Sequence, residues 1–349
     1  MNYISFADMG KTIVSNLYKI PQDVDLIVGI PRSGLLAGNL IALSLNIPII
    51  DFDGFIDNRK PRHGFSRKTK TQISFPRDAK HVLIVDDTIF SGKSLAQVKD
   101  KIERATINQQ MTYCTVYAAP NGFEKVDIFF ERLFPTTVFE WNIMQCAALK
   151  DSCIDIDGVL CMDPLNSENN DGPGYLNFLK NARPLSLPSL KVGYLVTNRL
   201  EKYRKETEAW LSKHNIQYKK LHMLDLPDAE TRKRHNNYAS FKALIYKSYP
   251  DSHFFIESNK SQAIGITRLA GKPVLCFSDK KLYTPELLHA PVDQKAKAYR
   301  FSITDKVKRI TWHLLSSPEV TVKQPAIKND MLKKKIEEKQ YKNEISYQD

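Results

Sequence analysis

Two pairs of acids are spaced for chemistry. The first is Asp86-Asp87 in "HVLIVDDTIFSGKSL" (His81–Leu95), and the second is Asp155-x-Asp157 in "CIDIDGVLCMDP" (Cys153–Pro164). Each follows a short apolar run of the kind buried in a parallel sheet. Open α/β sheets place their ligands at such strand ends. After the first pair, Ser91-Gly92-Lys93-Ser94 opens a helix from Ser94 to about Ala105. The free N–H groups and positive dipole end of a helix start suit a phosphate. Asp86 and Asp87 are acceptor-only groups, suited to hydroxyls or to a metal carried by the ligand. A diol and a phosphate on one molecule satisfy both halves, as in a ribose 5-phosphate. A P-loop does not fit, because its first glycine would fall where Asp87 stands. In the second pair, the Asp-x-Asp spacing of an extended segment puts both side chains on one side. Gly158 then frees the turn. Two such carboxylates can share a divalent cation, one attacking phosphorus while the other manages the proton.

The run "VLIVDDTIFSGKS" resembles the phosphoribosyl-pyrophosphate (PRPP) signature of type I phosphoribosyltransferases. The resemblance implies Asp86 and Asp87 on the ribose hydroxyls, with Phe90, Ser91, Gly92, Lys93 and Ser94 around the 5-phosphate. Phe90 stands where purine-salvage members usually carry an acid. A phenyl ring cannot exchange a proton, which argues against hypoxanthine-type salvage. Upstream, Asp25–Asp51 reads as strand, turn, helix and strand, one βαβ unit. Its turn, Ile30-Pro31-Arg32-Ser33-Gly34, falls where this family has its pyrophosphate loop. Arg32 is the charge expected there, since a guanidinium can fork two phosphate oxygens.

"DIDGVL" resembles motif I of the haloacid dehalogenase (HAD) superfamily of phosphotransferases. The resemblance implies Asp155 as the nucleophile and Asp157 as the general acid/base. "KVGYLVTNRL" supplies Thr197 for motif II. Lys242, in "YASFKALIYKSY", is the motif III candidate, with Lys247 as its alternative about one and a half turns on. Glu257, in "HFFIESNKSQA", fits motif IV as a metal ligand. Mg2+ is expected on Asp155, Asp157 (through its carbonyl) and Glu257. Many members have a second acid where Ser258 stands, so this ion would rely more on water. Only Met162–Leu190 separates motif I from the motif II strand. That is too short for a large cap, and an open site is expected.

The elements that must position these residues alternate. Beyond the second pair, candidates are Leu190–Val196, Glu201–His214, Gln217–Leu221, Arg232–Tyr249, His253–Glu257, Lys260–Ala270 and Pro273–Phe277. This is a doubly wound α/β pattern. The expectation is two α/β domains with parallel sheets: a phosphoribosyltransferase domain over 1–148 and a HAD-like domain over 149–300. Residues 301–349 would hold a last helix (Ile303–Leu315) and a charged tail. A chain of 349 residues is long enough for two cores.

The net charge is +12, and the segment Asn58–Lys80 holds eight basic residues against one acid. These are Arg59, Lys60, Arg62, Arg67, Lys68, Lys70, Arg77 and Lys80. The segment reads as a long mobile loop or hairpin that closes on a polyanion. Only Phe65 and Phe75 interleave with the charges, thin for stacking bases. A small anionic molecule is therefore favoured over nucleic acid. Five cysteines without a Cys-x-x-Cys pair point to free thiols in a reducing cytoplasm. Met1–Lys11 lacks a signal-peptide pattern, and no apolar run is long enough to span a membrane. The whole reads as a bifunctional cytoplasmic enzyme. Its partners would be PRPP and a nitrogenous base or nucleotide-like molecule, with Mg2+ as cofactor and a homodimer allowed. The rival is a PRPP-sensing or nucleic-acid-binding regulator with a degenerate HAD domain.

Overall fold

Strand β1 (Asn2–Ile4) turns into helix α1 (Phe6–Asn16) at Ser5. Ser5 and Asp8 exchange backbone and side-chain hydrogen bonds there. This capping box satisfies otherwise orphan N–H groups of the first turn. The computed structural model describes residues 1–61, 68–134, 136–235 and 238–289. Next come β2 (Leu26–Gly29), α2 (Ser33–Leu45), β3 (Ile49–Asp51), α3 (Phe52–Ile56), β4 (His81–Ile89) and α4 (Lys93–Arg104). They are followed by β5 (Gln110–Ala118), β6 (Ile128–Arg132) and β7 (Thr137–Phe139). The first large sheet has the order β3-β2-β4-β5-β6, parallel throughout. β1 pairs separately with β7. Chain order reverses direction between β2 and β4, and such a switch point opens a crevice for a ligand. The turn after β2 presses against that crevice. A Cβ on Gly34 would lie 2.6 Å from the Val85 carbonyl oxygen and 2.9 Å from the Asp86 Cα. Only glycine fits that approach.

The second sheet is built from β8 (Cys153–Ile154), α5 (Pro173–Asn181), β9 (Val192–Leu200), α6 (Arg204–Lys213) and β10 (Tyr218–Leu224). It continues through α7 (Ala229–His235), α8 (Tyr238–Lys247), β11 (Phe255–Glu257), α9 (Lys260–Ala270), β12 (Val274–Cys276), β13 (Lys281–Tyr283) and α10 (Pro285–His289). Its order is β10-β9-β8-β11-β12-β13, with β13 alone antiparallel. β8 sits between β9 and β11, a second switch point. The segment from β7 onward packs against the second sheet. Val138, Ile143 and Met144 pack in the same cluster as Ile154, Leu195 and Phe254.

Several expectations need correction. Of the helix expected over Arg232–Tyr249, the described parts are α7 and α8, which flank residues 236–237 outside the described residues. The strand expected to end at Val196 runs to Leu200, and β4 runs on past Val85 to Ile89. The described flanks of the basic segment hold a 3-10 turn, Pro76–Asp78, and no strand. Arg77 donates to the Phe55 and Ile56 carbonyls at 2.9 and 3.0 Å, and Arg59 pairs with Asp51 at 2.9 Å. Those two charges hold the protein's own chain. Arg62 and Arg67, the expected helix over 303–315 and the charged tail lie outside the described residues. Among the described residues, no helix is long and apolar enough to cross a membrane.

Candidate functional site

β4 carries the first acid pair inside the strand, so consecutive side chains point to opposite faces. Asp86 faces a cavity of about 190 Å³ together with Ile84, Thr88 and the turn Phe90–Ser94. Asp87 turns the other way. Its Oδ1 accepts from the Ser33 hydroxyl at 2.7 Å, and its Oδ2 from the Trp141 indole at 2.8 Å and Thr88 at 3.1 Å. Burial, then the neighbouring Asp87 charge, pushes Asp86 up to about 8. Gly92 takes a left-handed conformation (φ 74°) at the start of α4, and Lys125 Nζ lies 2.5 Å from the Ser91 carbonyl beside it. The first-turn N–H groups of α4 have no intrahelical acceptor and open toward the same turn. Arg32 is exposed at the start of α2, after a cis Pro31–Arg32 peptide. Phe90 is exposed at the cavity rim.

The second pair sits beyond the short strand β8. Lys242 reaches in from α8 and donates to Asp155 Oδ2 and Glu257 Oε2, each at 2.6 Å. All three are buried. Lys247 is exposed, so Lys242 is the lysine of this cluster. Asp155 Oδ1 accepts from the Ile156 N–H, and Glu257 Oε1 from the Asn259 N–H. Burial, only partly offset by the Lys242 charge, pushes Asp155 up to about 8. A Cβ on Gly158 (φ +73°) would lie 2.5 Å from Ser258 and 2.8 Å from Asp163 Oδ2, so the turn requires glycine on both counts. The Ser258 hydroxyl donates to the Asp157 carbonyl at 3.2 Å.

Of the residues expected to hold a metal, the Asp155, Asp157 (there through its carbonyl) and Glu257 carboxylates are each engaged by a side-chain cation. Among the described residues, no three His, Cys, Asp or Glu side chains form a metal cluster. The pairings are these. The Lys242 ammonium bridges Asp155 and Glu257, while the Asp157 carboxylate turns to Arg199, whose Nη2 lies at 2.6 Å and Nε at 3.1 Å. Burial disfavours the Arg199 charge, but the Asp157 carboxylate outweighs it and holds the guanidinium above its usual range. Pairing of β9 with β10 slips between Val196 and Leu200, a bulge that carries Thr197 and Arg199. Bulges re-aim side chains beside active sites. Thr197 joins Asp155, Asp157 and Lys242 on the wall of a cavity of about 610 Å³. Asp163 and Arg232 line it too. Burial, then the charges of Asp157 and Glu257, raises the Asp163 carboxyl above its usual range. Ser33, Trp141, Arg199, Arg232 and Asp163 are the residues that motif reading passed over.

A family model described as "Phosphoribosyl transferase domain" matches residues 5–148. Xanthine-guanine phosphoribosyltransferase of Cereibacter sphaeroides is 30% identical over 120 residues, 34% of this chain and 68% of that protein. The chain belongs to the phosphoribosyltransferase family, through its N-terminal part. The xanthine-guanine phosphoribosyltransferase of Idiomarina loihiensis is 24% identical over 119 residues, 34% of this chain and 70% of that protein. Orotate phosphoribosyltransferase of Sulfolobus acidocaldarius is 26% identical over 122 residues, 34% of this chain and 58% of that protein. Among solved structures, a purine phosphoribosyltransferase from Pyrococcus horikoshii is similar with a TM-score of 0.30 and 20% identity, covering 40% of this chain and 92% of that one.

Proposed function

We propose that the chain is bifunctional, with PRPP-dependent phosphoribosyl transfer at the end of β4 and HAD-type phosphoryl transfer at the end of β8. Family membership supports the first activity. The observation that carries the second is Lys242, 2.6 Å from both Asp155 and Glu257, so that three separate segments meet at one point.

At the first site, Asp86 accepts from the ribose hydroxyls, and Asp87, held by Ser33 and Trp141, keeps the strand end in place. Phe90, Ser91, Gly92, Lys93 and Ser94 surround the 5-phosphate, and Arg32 takes the pyrophosphate. The bond from C1 to pyrophosphate breaks with its electron pair on the leaving oxygen, while a ring nitrogen of the base bonds to C1. The named relatives take xanthine, guanine or orotate, which supports a nitrogenous heterocycle as acceptor. Phe90 offers that base no proton acceptor. At the second site, Asp155 attacks phosphorus, Thr197 orients the phosphoryl oxygens, Lys242 neutralises them and Asp157 manages protons.

Mg2+ fits both sites by the chemistry of their donors. Asp155 and Glu257 are two buried carboxyl groups that share a single ammonium. With the Asp157 carbonyl they would hold a hard divalent cation. When bound, it would neutralise phosphoryl oxygens. At the first site the ion would arrive with PRPP, facing Asp86.

The test is incubation with PRPP, Mg2+ and a panel of bases, following pyrophosphate and phosphate release together. Base-dependent pyrophosphate release is expected, and its absence with every base overturns the transferase. The closed pairing of the second-site acids favours a rival, a PRPP-sensing regulator with a degenerate second site. PRPP binding without release of either product would establish that rival.

A further inference from the structure

An alcohol leaving from phosphorus needs a proton, and general acid catalysis typically contributes about 10²–10⁴-fold. Asp157 stands in the acid's position. Arg199 engages it through Nη2 and Nε, and the Arg199 side chain is wholly buried. Its other neighbours are the Cys161 sulfur at 3.3 Å, the Thr207 hydroxyl at 3.4 Å and the Phe178 ring, none of them a carboxylate. Taking Asp157 away would strand an unpaired guanidinium in the interior, which is strongly unfavourable. Asp157 is therefore held against Arg199 and is not free to swing onto a leaving oxygen.

A phosphate leaving group needs no proton, provided that its charge is met. Arg232 can meet it. The Arg232 side chain is buried on the wall of the same 610 Å³ cavity. The acceptors of its hydrogen bonds are neutral, Asn169 Oδ1 at 2.6 Å and the Asn198 carbonyl at 3.2 Å. Among the described residues, no carboxylate lies within ion-pair distance of it. A buried guanidinium facing a cavity without a carboxylate partner is a seat for an anion.

We propose that the second site takes a phosphoanhydride, two linked phosphates, with Asp155 attacking one phosphorus and Arg232 holding the other phosphate. The proposal rests on the phosphoryl-transfer reading of this site. Asp155 Oδ2 bonds to phosphorus as the bond to the bridging oxygen breaks, and the electron pair departs with the leaving phosphate. Water then attacks the aspartyl phosphate, the bond to Asp155 breaks, and the water's proton passes by Asp157 to solvent. Pyrophosphate, which the first site would release at each turnover, belongs to this class. Its hydrolysis would pull the transfer forward.

The experiment uses the full chain with Mg2+ and follows phosphate release from four kinds of compound. These are inorganic pyrophosphate, a nucleoside diphosphate, a nucleoside 5′-monophosphate and aryl phosphates of rising leaving-group pKa. A phosphoanhydride should exceed the monophosphate by about tenfold or more in kcat/KM, and rates should fall steeply along the aryl series. Whether pyrophosphate or the diphosphate is better, either supports the class and identifies its source. Arg232→Gln should narrow the ratio of phosphoanhydride to aryl phosphate turnover by about tenfold. A monophosphate turned over as fast as either phosphoanhydride overturns the proposal and leaves phosphoryl transfer standing. So does a flat aryl series, and if Asp163→Asn makes it steep, Asp163 is the acid. No release from any compound overturns the underlying reading and the proposal with it.

Discussion

The two acid pairs occupy equivalent places, each beside a switch point of a largely parallel sheet, yet their charges are handled in opposite ways. At the end of β4, Asp87 rests on hydroxyls and an indole, and Asp86 accepts from a backbone N–H. Neither has a cationic partner among the described residues. At the end of β8, Lys242 bridges two carboxylates and Arg199 takes a third. Similar topology thus leaves the sign of the missing charge open. The first crevice leaves its acid pair without a cationic partner and suits a ligand that brings a cation and hydroxyls with it. The second already supplies positive charge and suits a bare anion.

The sharpest way to break that contrast is Asp155→Asn. Loss of the nucleophile should lower phosphate release from an activated aryl phosphate by at least about 10⁴-fold. PRPP binding, measured by calorimetry, should not change. Coupled loss of both would mean that the two sites are not separate. Asp86→Asn comes next, with an expected 10–150-fold loss of PRPP affinity, equivalent to about 1.5–3 kcal/mol.

The pH dependence of wild-type binding sharpens the same point. Asp86 stands at about 8 in the empty protein, so below that pH it holds a proton that a cation-bearing ligand must displace. Affinity for Mg2+-PRPP should therefore rise from pH 6 to 8, by up to about tenfold per unit, and level off above. Calorimetry in buffers of different ionisation enthalpy should register proton release on binding. The same raised pKa means that the empty protein loses stability as pH rises through this window. Proton uptake on binding would reverse the assignment. The smallest effect belongs to Trp141→Phe, which removes one hydrogen bond to Asp87. About a fivefold loss of PRPP affinity is expected, from a bond worth about 1 kcal/mol.

The regular elements were the most legible in the sequence. The βαβ unit over Asp25–Asp51 and the helix Lys260–Ala270 follow from apolar period and turn residues, and both form. The limits appear where one residue's surroundings depend on distant chain. In the sequence Asp86 and Asp87 read as equals, a pair following an apolar run. Once β4 runs to Ile89, alternation separates them, one to the cavity and one to Ser33 and Trp141. That indole lies 54 residues from its carboxylate, a distance no local pattern bridges. Arg199 is hidden differently. Two residues past Thr197, a lone arginine reads as the end of a strand, and only the bulge in β9 turns it onto Asp157.

Trp141 also makes the first site visible. The chain has three tryptophans. Trp210 is buried with its N–H on the Ala182 carbonyl, and Trp312 lies outside the described residues. Trp141 alone of the two described has its indole N–H on a carboxylate. Indole emission responds to the charge beside its ring, so any ligand that draws Asp87 into new hydrogen bonds should shift the fluorescence of this one residue. The protein thus carries its own optical probe, attached to the acid pair whose occupancy is in question.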